Sequence, residues 1–116
     1  MNYLYKITVE VDDEQILRLQ QHDRKAVYDT IRNAFQNYEF TEEAGSDDKT
    51  MIFIMGDTKD AFSNVGIVTN ALYDSWLGKY LKRMEWYDTS DNSTEDVLKE
   101  IRDFDSQYGK QSSQCM

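Results

Sequence analysis

The chain has no proline, one cysteine and one histidine in 116 residues, and only 13 lysines and arginines against 22 aspartates and glutamates. Each scarcity excludes something. A single thiol, Cys115, cannot make an internal disulfide framework or a cysteine-rich zinc site. A single imidazole, His22, leaves a two-histidine ribonuclease mechanism only to a dimer. The longest apolar run, Met51–Met55, is five residues, against the roughly 20 that span a bilayer. The amino-terminal Met1-Asn2-Tyr3-Leu4-Tyr5-Lys6 lacks the basic start and long apolar stretch of a secretory leader. The expected location is therefore cytoplasmic, with no membrane contact. The net charge of −9 opposes broad binding to nucleic acid or to anionic lipid, because both need clustered Lys and Arg. Three readings of the acidity stand: nucleic acid met at a local basic patch, a basic protein partner, or simple solubility.

What is present suits one α+β domain over residues 1–108, with residues 109–116 as a flexible tail. Apolar residues make up 40% of the chain and aromatics 13%, enough for one core. Tyr3, Tyr5, Ile7, Val9 and Val11 alternate with Lys6, Thr8 and Glu10, which predicts a strand. Asp12-Asp13-Glu14 ends it, and Ile16, Leu17 and Leu19 suit one short helical turn. Asp23 is an N-cap for a helix whose stripe is Val27, Ile31, Ala34, Phe35 and Tyr38. The stretch from Phe40 to Ala44 and the run from Thr50 to Met55 read as a hairpin about the turn at Gly45–Lys49, the second strand buried on both faces. Asp57 or Thr58 caps the next helix, with Ala61, Val65, Val68 and Leu72 as its stripe. Gly66 inside it suggests close backbone approach, and Gly78 a helix stop. Leu81 to Tyr87 is a fourth strand with Met84 and Trp86 on one side. Ser93, with Asp96 three residues later, opens a last helix carrying Val97, Ile101, Phe104 and Tyr108.

The order β-α-β-β-α-β-α predicts a ferredoxin-like βαββαβ sandwich with an additional C-terminal helix. Tyr3, Tyr5, Phe53, Trp86 and Tyr87 are more large rings than one helical layer needs. Some of them are expected on a second sheet face, covered in a homodimer or under the last helix.

The stretch from Tyr5 to Val11 is similar to the first strand of the VapD (virulence-associated protein D) family, which runs Tyr-Ala-Ile-x-Phe-Asp-Leu. The resemblance continues through Tyr28 and Ile31, Phe40-Thr41 and Gly45-Ser46. It then takes in Asp60, Ala71-Leu72, Trp76, Ser90-Asp91 and the Thr94–Lys99 region. It implies a ferredoxin-like homodimer, related to the small adaptor nucleases of CRISPR systems, that cleaves RNA as a toxin-type endoribonuclease of a toxin–antitoxin pair. The family's acidic residue at the end of the first strand falls on Glu10, where this chain has Glu in place of Asp.

Candidate chemistry follows from residue types. Glu10, Asp12, Asp13 and Glu14 gather carboxylates at a strand end, where they can act as general base toward a ribose 2′-OH. They can equally hold Mg²⁺ with waters, Glu10 being the metal candidate, or serve only as a solvated strand terminus. Lys79, Lys82 and Arg83 form the best basic patch, and with Trp86 and Tyr87 can hold phosphate and stack a base. Edge-strand lysines that block aggregation explain the basic part as well. His22 is a bystander unless the fold brings it to Glu10. Ser46 is a turn serine, the Gly56-Asp57-Thr58 segment a capping segment, and Cys115 lacks a nearby base. Eight carboxylates in residues 85–105 face only Lys99 and Arg102, and five more lie in residues 39–48. Such runs suit a non-catalytic inhibitor that occupies the groove of a basic nucleic-acid-binding protein, or a solvated surface.

Overall fold

In a computed structural model, the structure describes residues 3–43 and 50–106. Strand β1 (Tyr5–Val11) alternates as its sequence predicts: Tyr5, Ile7, Val9 and Val11 are buried, while Lys6, Thr8 and Glu10 are half-buried on the other side. Asp12 caps a helix directly after it, α1 (Asp13–Leu19). This is about two turns where one was expected, and it buries Ile16.

Helix α2 (Arg24–Asn37) starts where expected, the Asp23 carboxylate accepting from the Ala26 N–H at 2.6 Å. It buries Val27, Tyr28, Ile31 and Phe35. Phe35 stacks on Phe53 of the sheet at 4.2 Å and meets Phe40 edge-on at 5.2 Å. Strands β2 (Thr41–Glu42) and β3 (Thr50–Met55) pair antiparallel, as the hairpin reading requires; the turn residues Gly45 and Ser46 lie outside the described residues. The expectation that β3 is covered on both faces is not met. Met51, Phe53 and Met55 are buried, but Ile52 and Ile54 are half-buried on the opposite side.

Helix α3 (Ala61–Asp74) has Asp60 at its cap position rather than Asp57 or Thr58, with no side-chain capping bond; the Thr58 carbonyl accepts from the Ala61 N–H at 3.2 Å instead. Gly66 makes no close approach: a methyl group there would meet no atom within 4 Å, and the residue is exposed. Gly66→Ala should therefore raise stability by about 0.5–1 kcal/mol, the helix-propensity difference alone. A urea midpoint that falls instead would show that something packs against that face. The helix ends before Gly78, which opens a 3-10 turn (Gly78–Tyr80) that buries Tyr80 and feeds β4 (Leu81–Asp88).

The largest departure from expectation follows. Ser93 does not cap a helix; β5 (Ser93–Asp96) pairs antiparallel with β4, and α4 (Val97–Phe104) begins only after it. Asp96 is the cap, accepting from the Lys99 N–H at 3.0 Å. Tyr108 and the tail at residues 109–116 lie outside the described residues.

Among the described residues the result is an α+β arrangement, a five-stranded antiparallel sheet in the order β2-β3-β1-β4-β5 with four helices. Met84 and Trp86 stand opposite Val9 and Ile7 across the β1–β4 register, on the side that α2, α3 and α4 cover. Of the five rings from which a second face was expected, Tyr5, Phe53 and Trp86 belong to this helix-covered side and Tyr87, opposite Lys6, points the other way, while Tyr3 precedes β1. Among the described residues no helix is long and apolar enough to cross a membrane.

Candidate functional site

The face of the sheet away from the helices carries Lys6, Thr8 and Glu10 of β1 and Arg83, Glu85 and Tyr87 of β4. Register decides what meets there. Glu10 stands directly across from Arg83, and the ladder then slips so that Val11 pairs with Leu81. The slip leaves Lys82 as an extra, bulged residue, a device that re-aims side chains at strand ends. The Arg83 Nε donates to Glu10 Oε1 at 3.1 Å, and Lys82 Nζ lies 3.8 Å from Glu10 Oε2. Arg83 also donates from its other arm to Glu85 at 2.9 Å. The side chains of Glu10, Arg83 and Lys82 are 25%, 42% and 61% exposed, so water screens these pairs and each is worth under about 1 kcal/mol. They are exchangeable contacts.

Beside them is a shallow cleft of about 190 Å³ lined by Lys6, Thr8, Glu85, Tyr87 and Thr94. Lys6 Nζ sits 5.4 Å from the centre of the Tyr87 ring, and the Tyr87 hydroxyl donates to Asn92 Oδ1 at 2.6 Å. The ammonium thus lies over the ring on one surface.

Of the four carboxylates grouped at the end of the first strand, Asp12 and Asp13 are engaged elsewhere and Glu14 is exposed on α1. Asp12 accepts from the Gln15 N–H at 3.1 Å and caps α1. Asp13 pairs with Arg24 at 3.3 Å and accepts from the Tyr28 hydroxyl at 3.1 Å, joining α1 to α2. Burial first, and the Asp13 carboxylate second, push the Tyr28 hydroxyl up to about 12. Glu10 therefore keeps company with cations. Among the described residues no group of three or more His, Cys, Asp and Glu is placed to hold a metal. With a cation against each oxygen of Glu10, this arrangement does not fit Mg²⁺ within one copy of the chain.

The other candidates separate as well. Trp86 does not share a surface with Lys82 and Arg83: it faces the helices, 5.1 Å from Tyr5 and 5.6 Å from Phe62 ring to ring. Its indole Nε1 is buried with no hydrogen-bond partner among the described residues. His22 shares a hydrogen bond of 2.9 Å with the hydroxyl of fully buried Tyr80 and stacks on Trp76 at 4.1 Å. Its partners are rings, not Glu10. Lys79 reaches Gln21 rather than joining Lys82. The Gly56-Asp57-Thr58 segment closes on itself, the Thr58 N–H donating to the Gly56 carbonyl at 3.0 Å. Ser46 and Cys115 lie outside the described residues. Lys6 and Glu85 are the residues that sequence reasoning missed; strict alternation along β1 and β4 was the signal that places them with Glu10 and Arg83.

A second cleft, of about 280 Å³, opens on the helix-covered side at the far end of β4, lined by Phe62, Trp86, Asp88, Asp91, Ser93 and Glu95. No family model matches the chain, and no curated protein matches it.

Proposed function

We propose that the protein is a VapD-like endoribonuclease that cleaves RNA on the open face of its sheet, in the cytoplasm, as a toxin-type enzyme. One observation supports this reading above others: Glu10 meets Arg83 and Lys82, far from it in the chain, at 3.1 and 3.8 Å on a surface that no helix among the described residues covers. The strand order β2-β3-β1-β4 supports a ferredoxin-like core, since β1 and β2 both pair antiparallel to β3 and so run parallel to each other with β3 between them. On this reading β5 and α4 are additions at the β4 edge. Half-buried Ile52 and Ile54 give the same face an apolar strip for a second copy, and the homodimer sets the two Glu10 sites along a shared crevice.

The chemistry needs no metal. An arriving phosphate draws Arg83 and Lys82 away from Glu10, which is inexpensive because those pairs are screened. The freed carboxylate takes the proton of a ribose 2′-OH, and that oxygen attacks the adjacent phosphorus. The bond to the 5′ oxygen breaks, leaving a 2′,3′-cyclic phosphate and a 5′-hydroxyl that takes its proton from water. Arg83 and Lys82 stabilise the charge that builds on the phosphoryl oxygens, while Lys6 and Tyr87 hold the neighbouring nucleotide by charge and stacking. Purified protein incubated with single-stranded RNA in EDTA should yield cyclic-phosphate ends, and Glu10→Gln should not. Intact RNA with the wild-type protein, or equal cutting by the variant, defeats the reading.

A second reading, a non-catalytic acidic protein that occupies a basic groove, draws on a different observation. Asp57, Asp88, Asp91 and Glu95 enter no ion pair among the described residues. Partial burial first, then the nearby Glu95 and Asp96 carboxylates, raise the proton affinity of Glu100. Like charges crowded in the free chain are relieved by a basic partner.

A further inference from the structure

We infer that the cleft lined by Phe62, Trp86 and the carboxylates of Asp88, Asp91 and Glu95 is a binding site for an arginine side chain presented by a basic peptide segment of a partner protein. The inference rests on the second reading above in one respect only, that the partner is basic, and it adds which chemistry is recognised and where.

The walls are aromatic. Phe62 leaves the first turn of α3 with 67% of its surface exposed. It faces Trp86 at 5.6 Å with the ring planes 63° apart, and Tyr5 meets Trp86 edge-on behind it. The rim is acidic. Asp88, Asp91 and Glu95 line the opening. None of them is neutralised by Lys or Arg among the described residues; Asp88 accepts from Ser90, and Asp91 from the Ser93 N–H. The Tyr5 hydroxyl is raised by burial first and then by Asp88, Asp57 and Asp91, so four carboxylates crowd this end of the sheet once Glu95 is counted.

Two rings with three uncompensated carboxylates select a cation with a flat apolar face. Ring faces attract a cation within about 6 Å by their quadrupole. A guanidinium adds planar stacking and a fork of donors that matches a carboxylate, which an ammonium does not. A cleft of about 280 Å³ lies just below the roughly 300 Å³ at which small-molecule sites begin, so it suits one side chain. Anionic ligands are repelled, which separates this site from the RNA face.

The probe is a Gly/Arg octapeptide, read by fluorescence of Trp86 in a Trp76→Phe background and by calorimetry. Saturable 1:1 binding is expected. It should weaken at least tenfold in Phe62→Ala and in the Asp91→Asn, Glu95→Gln double variant, and at least tenfold when citrulline replaces arginine. A lysine octapeptide should bind more weakly than the arginine one. Glu14→Gln, an exposed acid on α1, and Glu10→Gln should change affinity less than twofold. Arginine-peptide binding that falls with salt but ignores the cleft variants overturns the site while sparing the acidic-partner reading. Absence of binding by either peptide overturns both.

Discussion

Gly78→Ala is expected to lower the stability of the protein by at least ~2 kcal/mol, as overpacking against rigid backbone does. A methyl group at this position would stand 2.1 Å from the carbonyl oxygen of Tyr73 and 3.1 Å from its carbon. Neither atom belongs to a flexible side chain, so the end of α3 or the turn itself must move. That turn is not free to move cheaply. It carries Leu77 and Tyr80, both buried, and the Tyr80 carbonyl accepts from the Asp12 N–H at 2.8 Å, tying the turn to the end of β1. The requirement is for space rather than for an unusual backbone, because no glycine among the described residues has a positive φ. Urea denaturation of Gly78→Ala beside Gly66→Ala makes the test internal: the same substitution should move the midpoint in opposite directions. Equal midpoints would mean that the α3–β4 connection is not packed as described.

On the proposed ribonuclease reading, Glu10→Gln should reduce RNA cleavage by about 10²–10⁴-fold, the usual contribution of a positioned general base. The amide matches the carboxylate in shape but cannot take a proton at neutral pH. Stability should change by less than about 1 kcal/mol, because the pairs lost are part-exposed and screened. Arg83 also keeps its 2.9 Å contact with Glu85, so no cation is left stranded. The combination is diagnostic. Loss of cutting with an unchanged urea midpoint places Glu10 in the chemistry, whereas parallel loss of both makes it a structural residue. Cutting that persists at the wild-type rate removes it from the mechanism.

Much of this arrangement could be read from residue order, and the exceptions have physical causes. β1 and α2 were legible because each is buried on one side only, so period and burial coincide. β3 misled because Ile52 and Ile54 are as apolar as their neighbours, and apolarity does not say whether anything covers a face. β5 was read as the start of a helix because Ser, Thr, Glu and Asp are cap residues, and its pairing with β4 is a tertiary choice that local propensity does not contain. The grouping of Trp86 with Arg83 was avoidable, since residues of odd spacing along a strand face opposite ways. The division of labour among Glu10, Asp12 and Asp13 was not. It depends on α1 beginning at Asp13, which turns Asp12 into a cap and sends Asp13 to Arg24 and Tyr28.

The margins of the sheet carry a last consequence. Among the described residues, one margin, β2, offers two residues, and the other, β5, sets Glu95 beside Asp96. A neighbouring molecule gains little by zipping onto the first and meets repulsion along the second. Edge-to-edge growth of a continuous ribbon is thus disfavoured at both described margins.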